Sequence, residues 1–330
     1  MSNKFINSEK NDSFVFFRGL DLQELLLETE KYLLEYRNKL NLPKDITFGA
    51  EIEYEHTPRY LVTNFIANNI EEWNSYSDSS LNSGGEINST IMYDKEKYWK
   101  QLKMICNYLE SEKADTLHNA GGHIHVGVQA IGDDVAAWRN FLKLYMAYES
   151  VIFRFIYGDK ISAREKIKTY APPLADKLYA KLSQINQVTE FLEFDDILHM
   201  GKYYAINFNN VPFNEFCDGY KNTIEFRSPN SSTSEVIWQN NINTFTKMLI
   251  ASKAKVIDEE FLDYKLKNEY IPYKNNEHLY NNVRLKNVLE FVDLVFDNNL
   301  DKIYFLRQYL KNLQDNYNMK EAVYAKKFVK

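Results

Sequence analysis

Three short stretches carry charged or imidazole side chains at alternate positions: Glu51 and Glu53 in Ile46–Tyr54, His123 and His125 in Gly122–Gln129, and Glu225 and Arg227 in Asn222–Ser228; a fourth, Gly85–Met92, carries Glu86. A spacing of two places such residues on one face of a β-strand. The alternate positions are apolar: Ala50, Ile52 and Tyr54, then Ile124, Val126 and Val128, then Ile224 and Phe226. One sheet face is therefore expected to meet a core, and the other to gather carboxylates, imidazoles and a guanidinium. A plain antiparallel sheet exposes Thr, Ser, Lys and Gln there. Two carboxylates ~7 Å apart repel by about 2.4 kcal/mol at an effective dielectric of ~20. Several such pairs need cations between them, and hard oxygen ligands in that number favour Mg²⁺ or Mn²⁺. The two histidines suit a metal ligand, a phosphate contact, or both.

Each pair also has a plainer reading. Glu51 and Glu53 alone suit a solvated strand face. Glu225 and Arg227 suit a cross-strand ion pair. His123 and His125 suit a surface pair, although Gly121-Gly122 before them lets a backbone approach closely. Asp78 has the turn-capping role of Asx residues as its rival to a site role. Lys202 reads as a surface lysine, with a phosphate contact as the rival role, and Arg154 and Arg164 read as ordinary ion pairs.

The elements that must position these residues follow from periodicity. Residues 1–19 read as a tail. A helix capped by Asp21, with Glu24 at its third position, carries Leu22, Leu25, Leu26, Leu33, Tyr36 and Leu40 on one face, and Pro43 closes it. A loop rich in Asn, Ser and Glu joins the first two strands. Helices are predicted over Asp94–Leu109, about Asp134–Tyr157, and from a Ser232/Glu235 capping box through Trp238, Ile242, Phe245 and Met248. Tyr203–Asn209 is a further strand, with Asn207 and Asn209 on its polar side. Residues 158–200 read as loop plus helix, with a break at Pro172-Pro173. The division is a tail over 1–19, a catalytic domain over 20–255 and a helical C-terminal appendage over 256–330, with helical periodicity in Val283–Phe296 and Leu300–Tyr317. The appendage has two candidate roles, homo-oligomer formation or shaping an acceptor pocket.

At 330 residues, 45% hydrophobic and 15% aromatic, the chain can bury a sizeable core. A net charge of −6 with scattered lysines excludes a general nucleic-acid binder. Cys106 and Cys217 make no disulfide scaffold, and a reducing compartment is the simpler expectation. Cys106 falls on an apolar helix face and belongs to a core. The polar N-terminus lacks a signal-peptide core, and Phe141–Tyr157 is interrupted by Lys143, Glu149 and Arg154. The cytoplasm is the expected location, with no membrane partner.

Thr47-Phe48-Gly49-Ala50-Glu51-Ile52-Glu53, Gly84-Gly85-Glu86-Ile87, Gly121-Gly122-His123-Ile124-His125-Val126 and Thr223-Ile224-Glu225-Phe226-Arg227 together resemble the putative amidoligase family, over about residues 46–250. That family belongs with glutamine synthetase and glutamate–cysteine ligase. The resemblance implies an α+β glutamine-synthetase-like catalytic fold, with a curved antiparallel sheet lining a funnel and helices on its apolar face. It implies ATP-dependent, ADP-forming joining of a small-molecule or peptide carboxylate to an amine through an acyl phosphate. By the same resemblance Glu51, Glu53, Glu86, Glu225 and His123 are metal ligands, His123 is a metal or phosphate ligand, His125 lies beside it as a catalytic candidate, and Arg227 holds the transferring phosphate. Asn207 is a candidate nucleotide contact. Asp78 stands where the family has an Asp-Gly-Ser-Leu segment, with Ser79 in place of the glycine, and Ser89-Thr90 replaces Ser-Pro. Acyl phosphates hydrolyse readily, so water must be excluded, and Glu71–Asn82 is the candidate lid.

Two rival enzymes are weaker. A phosphagen-kinase-like phosphotransferase would bring more arginines to the nucleotide. A cupin metal site would follow its His-x-His with an acid, which Val126–Gln129 lacks. A non-catalytic binding or structural protein built on the ligase fold would leave the whole charged face vestigial. No P-loop or Rossmann glycine run is present.

Overall fold

The computed structural model describes residues 20–32, 34–116, 118–157, 164, 166–213, 221–254, 257–272 and 284–310. The predicted tail, Cys217 and the end of the last predicted helix lie outside them.

Six strands form one antiparallel sheet: β1 (Phe48–Tyr54), β2 (Asn74–Tyr76), β3 (Gly85–Asn88), β4 (Gly122–Gly127), β5 (Ile206–Asn207) and β6 (Thr223–Phe226), in the order β2-β3-β1-β4-β6-β5. The alternation holds strand by strand. Phe48, Ala50, Ile52, Ile124, Val126, Ile224 and Phe226 are buried on the apolar face. Helices cover that face. They include α3 (Glu96–Ser111), α4 (Val135–Phe155) and α9 (Glu235–Lys253). Trp99 of α3 stacks on Phe48 at 5.1 Å between ring centroids, and Phe245 of α9 stacks on Phe226 at 4.0 Å. Phe141 of α4 meets Phe226 edge-on at 6.3 Å. Such ring pairs add to the burial that drives the packing. The fold is thus mixed α/β, with one layer of helices laid on an antiparallel sheet.

The later helices join the same core. α10 (Glu259–Glu269), α11 (Leu285–Val295) and α12 (Asn299–Leu310) pack on α4, and α11 and α12 also on α9. Phe305 of α12 stacks on Phe155 of α4 at 4.2 Å. Between α4 and α9 lie the short helices α5 (Ile167–Tyr170), α6 (Ala175–Ala180), α7 (Leu182–Gln187) and α8 (Phe194–Leu198). No helix among the described residues is long and apolar enough to cross a membrane.

Several boundaries differ from the sequence expectation, each for a local reason. The first helix, α1 (Leu22–Glu30), has the predicted Asp21/Glu24 capping box but stops well before Pro43. The chain then runs extended, and side chains from elsewhere satisfy its backbone. Tyr304 Oη accepts from Glu35 N, Gln239 Oε1 from Arg37 N, and the Asp94 carboxylate from Leu40 N and Leu42 N at 2.8 and 3.0 Å. Leu34, Leu40 and Leu42 still reach the core. The segment read as a loop before Gly85 contains a helix, α2 (Arg59–Asn69), and the edge strand β2. β3 ends at Asn88, short of Met92, because Ser89 Oγ takes the place of a backbone acceptor for Ala50 N at 2.9 Å. β4 ends at Gly127 in a 3₁₀ turn. β5 is only Ile206–Asn207, since the Asn207 side chain accepts from Asn209 N at 3.0 Å and turns the chain. The Ser232/Glu235 capping box does not form. Ser234 is the N-cap residue, and Glu235 pairs with Lys103 at 3.0 Å.

Asp94 also accepts from Trp99 Nε1 at 2.8 Å. One carboxylate thus holds three donors, tying the extended segment to α3. Asp94→Ala is expected to cost about 3 kcal/mol or more, because all three lose a charged acceptor. The check is a lowered urea midpoint at unchanged slope.

Candidate active site

The strand register assembles the polar face row by row. Glu53 of β1 stands opposite Glu86 of β3. Glu51 lies between Asn88 of β3 and His123 of β4. Gly49, His125, Glu225 and Asn207 form the next row across β1, β4, β6 and β5. Residues from five separate strands therefore meet because each strand alternates and the pairings are in phase. His123, His125, Glu53, Glu225 and Asn207 are buried. This face is a covered floor, which rules against the solvated-strand reading.

Glu51 is the hub. Its Oε2 lies 3.1 Å from His123 Nδ1 and its Oε1 2.9 Å from His125 Nε2. Burial opposes its ionisation, yet the hydrogen bonds from His123 and His125 win and hold its carboxyl well below the usual range. His123 Nε2 is 3.5 Å from Glu53 Oε1. Both ring nitrogens of His123 thus face carboxylate oxygens, which are acceptors when ionised. Glu53 Oε2 accepts from Gly121 N at 2.5 Å. Glu225 is pulled down in spite of burial, by His123, Arg227 and His125. It accepts from Asn207 Nδ2 at 2.7 Å and from Arg227. Glu86 goes the other way. Burial, then the charges of Glu51 and Glu53, raise its carboxyl. Burial is the larger cause and the like charges add to it, while His123 works against them.

Three overlapping groups bring ligand atoms within 4.8 Å of one another: Glu51, Glu86 and His123; Glu51, His125 and Glu225; and Glu53, Asp78 and Glu86. Oxygen and imidazole donors in this mix suit a hard divalent cation such as Mg²⁺ or Mn²⁺. The fit rests on the donor chemistry and on the convergence of these ligand atoms.

Two clefts flank this line. The first, about 390 Å³, is walled by Glu53, Asp78, Ser80, His123 and four cationic side chains, Arg164, Lys166, Lys202 and Arg227. The second, about 470 Å³, is more apolar and lies around Gly49, Phe48, Ala50, Ile91, His125 and Lys221. Asn207 lines neither and acts on Glu225. The Asp78 carboxylate accepts from Ser80 N at 2.7 Å, as a turn cap does, and it also lies beside Glu53 and Glu86. Part of the candidate lid is pinned to the sheet as β2, while Asp78–Ser80 forms the cleft wall. Lys202 is exposed at the cleft rim. Arg154 is remote, buried with Nε donating to Tyr309 O at 3.1 Å.

Arg164 departs most from its sequence reading. It is only 3% exposed and pairs with no described carboxylate. Its guanidinium donates to the backbone carbonyls of Arg227 at 2.7 Å and Pro229 at 3.5 Å. Burial pulls it down to about 10; Glu53 opposes the fall and Arg227 adds to it. Gly121 makes room for it. A Cβ there would lie 1.7 Å from Arg164 Nη1 and 3.0 Å from His123 Nε2. Gly121→Ala is therefore expected to expel the guanidinium, with a cost of about 1–3 kcal/mol from overpacking. Thermal melts would show the destabilisation, and restoration of stability by the second change Arg164→Ala would identify the clash.

A model of the family described as "Putative amidoligase enzyme" matches residues 44–249. That span contains the whole sheet and every residue of both clefts. No curated protein matches the chain. The family's description places the chemistry among enzymes that form carbon–nitrogen bonds.

Proposed function

The chain belongs to the amidoligase enzyme family, and from that premise we propose that it joins a carboxylic acid to an amine using ATP, through an acyl phosphate. The observation that carries this reading is the placement of the Glu51, Glu86, His123, His125 and Glu225 cluster between one cationic cleft and one more apolar cleft. An antiparallel sheet with helices on one face and carboxylates on the other supports a glutamine-synthetase-like fold.

Glu51, Glu53, Glu86, Glu225, His123, His125 and Asp78 would hold the divalent cations. Bound there, Mg²⁺ or Mn²⁺ supplies charge neutralisation on the phosphates and draws electrons from the γ-phosphorus. The apolar cleft, floored by Gly49 and edged by Ile91, suits the nucleotide base, with Lys221 and His125 toward its phosphates. The cationic cleft suits the acid. A carboxylate oxygen of the acid attacks the γ-phosphorus and ADP leaves. The amine nitrogen then attacks the acyl carbon, inorganic phosphate leaves with that oxygen, and the amine gives up a proton. Arg227, oriented by Glu225, would donate its planar fork to the phosphoryl oxygens in both steps. Glu51 and Thr223 grip His125 from both sides, which fixes its ring.

Oxygen-18 in the acid's carboxylate tests this route. One labelled oxygen per phosphate released is the expected result. Unlabelled phosphate alongside amide formation would mean that the carboxylate never attacks phosphorus.

A further inference from the structure

The cationic cleft holds more positive charge than the proposed reaction uses. Arg227 is already paired with Glu225. Arg164, Lys166 and Lys202 have no ion-pair partner among the described residues. Lys166 Nζ reaches only the carbonyl of Ser80, at 3.3 Å, and Lys202 lies over the Tyr203 ring at 5.1 Å. Buried Arg164 keeps an Nε–H without a hydrogen-bond partner among the described residues. Glu53 and Asp78 wall the same cleft but form no ion pair with any of the three, and cationic heads gathered at one cleft repel one another. An anion seated among these three side chains would meet all of these features at once.

The reacting carboxylate is not enough to be that anion. It carries a single charge and loses it when the acyl phosphate forms, while the phosphoryl group falls to Arg227 and the cations held by the carboxylates. Three cationic heads remain for a group that keeps its charge throughout. Their origin also separates them from the phosphoryl machinery. Arg164 and Lys166 come from the segment after α4, and Lys202 from the turn before β5, whereas Arg227 continues β6.

We propose that Arg164, Lys166 and Lys202 form a second anion subsite, so that the acid substrate carries an anionic group besides the carboxylate that reacts. Lys166, half-buried on the cleft wall, and Lys202, exposed at its rim, are its specificity-determining side chains, since their flexible stems can follow the length of the substrate. Arg164 is the fixed base of the subsite, held by two backbone carbonyls. This inference rests on the ligase reading only for which cleft receives the acid.

The test is calorimetric binding to the full chain with Mg²⁺ and a non-hydrolysable ATP analogue present. Matched probes of equal length are compared: butyrate with succinate, pentanoate with glutarate and 4-phosphonobutyrate, hexanoate with adipate. At least one dianion should bind tenfold or more tightly than its monoanionic partner. The double variant Lys166→Met/Lys202→Met, which keeps the aliphatic stems and touches no core, should bring that ratio within twofold while binding of the ATP analogue changes less than twofold. Three results overturn the inference: no preference for any dianion, no binding of any probe, or a preference that survives the double variant. Loss of ATP-analogue binding in the double variant would assign the cleft to the nucleotide and overturn it as well. None of these readouts needs turnover, so ligation of simple monoacids would refute the subsite and leave the ligase reading standing. A dianion preference without any ligase activity would do the reverse.

Discussion

Glu51→Gln is expected to lower ATP turnover by about 10³-fold or more while the protein still folds, an effect of the size expected when charge stabilisation worth several kcal/mol is lost. Glu51 belongs to two of the three ligand groups, and its two oxygens engage His123 and His125 separately. Glutamine keeps the size but removes the charge and turns one acceptor into a donor, so one imidazole loses its partner. The substitution also removes a like charge from the Glu86 neighbourhood, where crowding already raises the carboxyl. Folding should therefore suffer little, and Glu86 should ionise more readily. Steady-state ADP release, Mn²⁺ binding and a thermal melt separate the effects. Turnover at the wild-type rate would remove Glu51 from the metal site. Glu225→Gln should behave alike, since Glu225 shares a ligand group with Glu51 and His125 and also orients Arg227.

The second large effect is at Arg227. Arg227→Lys keeps the charge, yet kcat is expected to fall by about 10²- to 10³-fold, the typical cost of losing one well-placed donor to a developing oxyanion. A lysine is a point charge on a flexible stem and cannot give two parallel donors to phosphoryl oxygens and Glu225 together. The loss should appear in kcat more than in KM, because the fork matters most where charge moves. The backbone carbonyl of residue 227 still accepts from Arg164 in this variant, so the wall of the cleft stays in place. An unchanged kcat would take Arg227 out of the phosphoryl site.

The period of two in β1, β4 and β6 was enough to place Glu51, Glu53, His123, His125 and Glu225 on one face, because burial of the opposite face locks the register. Glu86 followed from the same alternation, and so could Asn88, which faces Glu51 two residues later. Helix α3 was legible because it has one apolar stripe that the sheet needs, and α4 because it is apolar along most of its length, buried among α9 to α12. Long-range contacts were not legible. The helical spacing of Leu22–Leu40 is real, yet Asp94, Gln239 and Tyr304 draw its second half out as an extended segment. The helix at Arg59–Asn69 buries only Val62 and Ile66, so its stripe is too thin to stand out. Arg164 and Lys166 carry no local signal. Their arrival at the cleft depends on how the chain returns from α4, and the one trace of it in the sequence is the absent side chain of Gly121. Lys221, at 4.0 Å from Glu51, is hidden for the same reason.

The most direct test of the ligase reading is Mg²⁺-dependent ADP release measured against a panel of carboxylic acids, with and without amines, with the amide followed by mass spectrometry. ADP formed only when an acid and an amine are both present, at one amide per ADP, is the result expected. ADP released without any amide, or no binding of nucleotide by calorimetry, would contradict it and leave a protein that binds charged ligands on a ligase-like sheet.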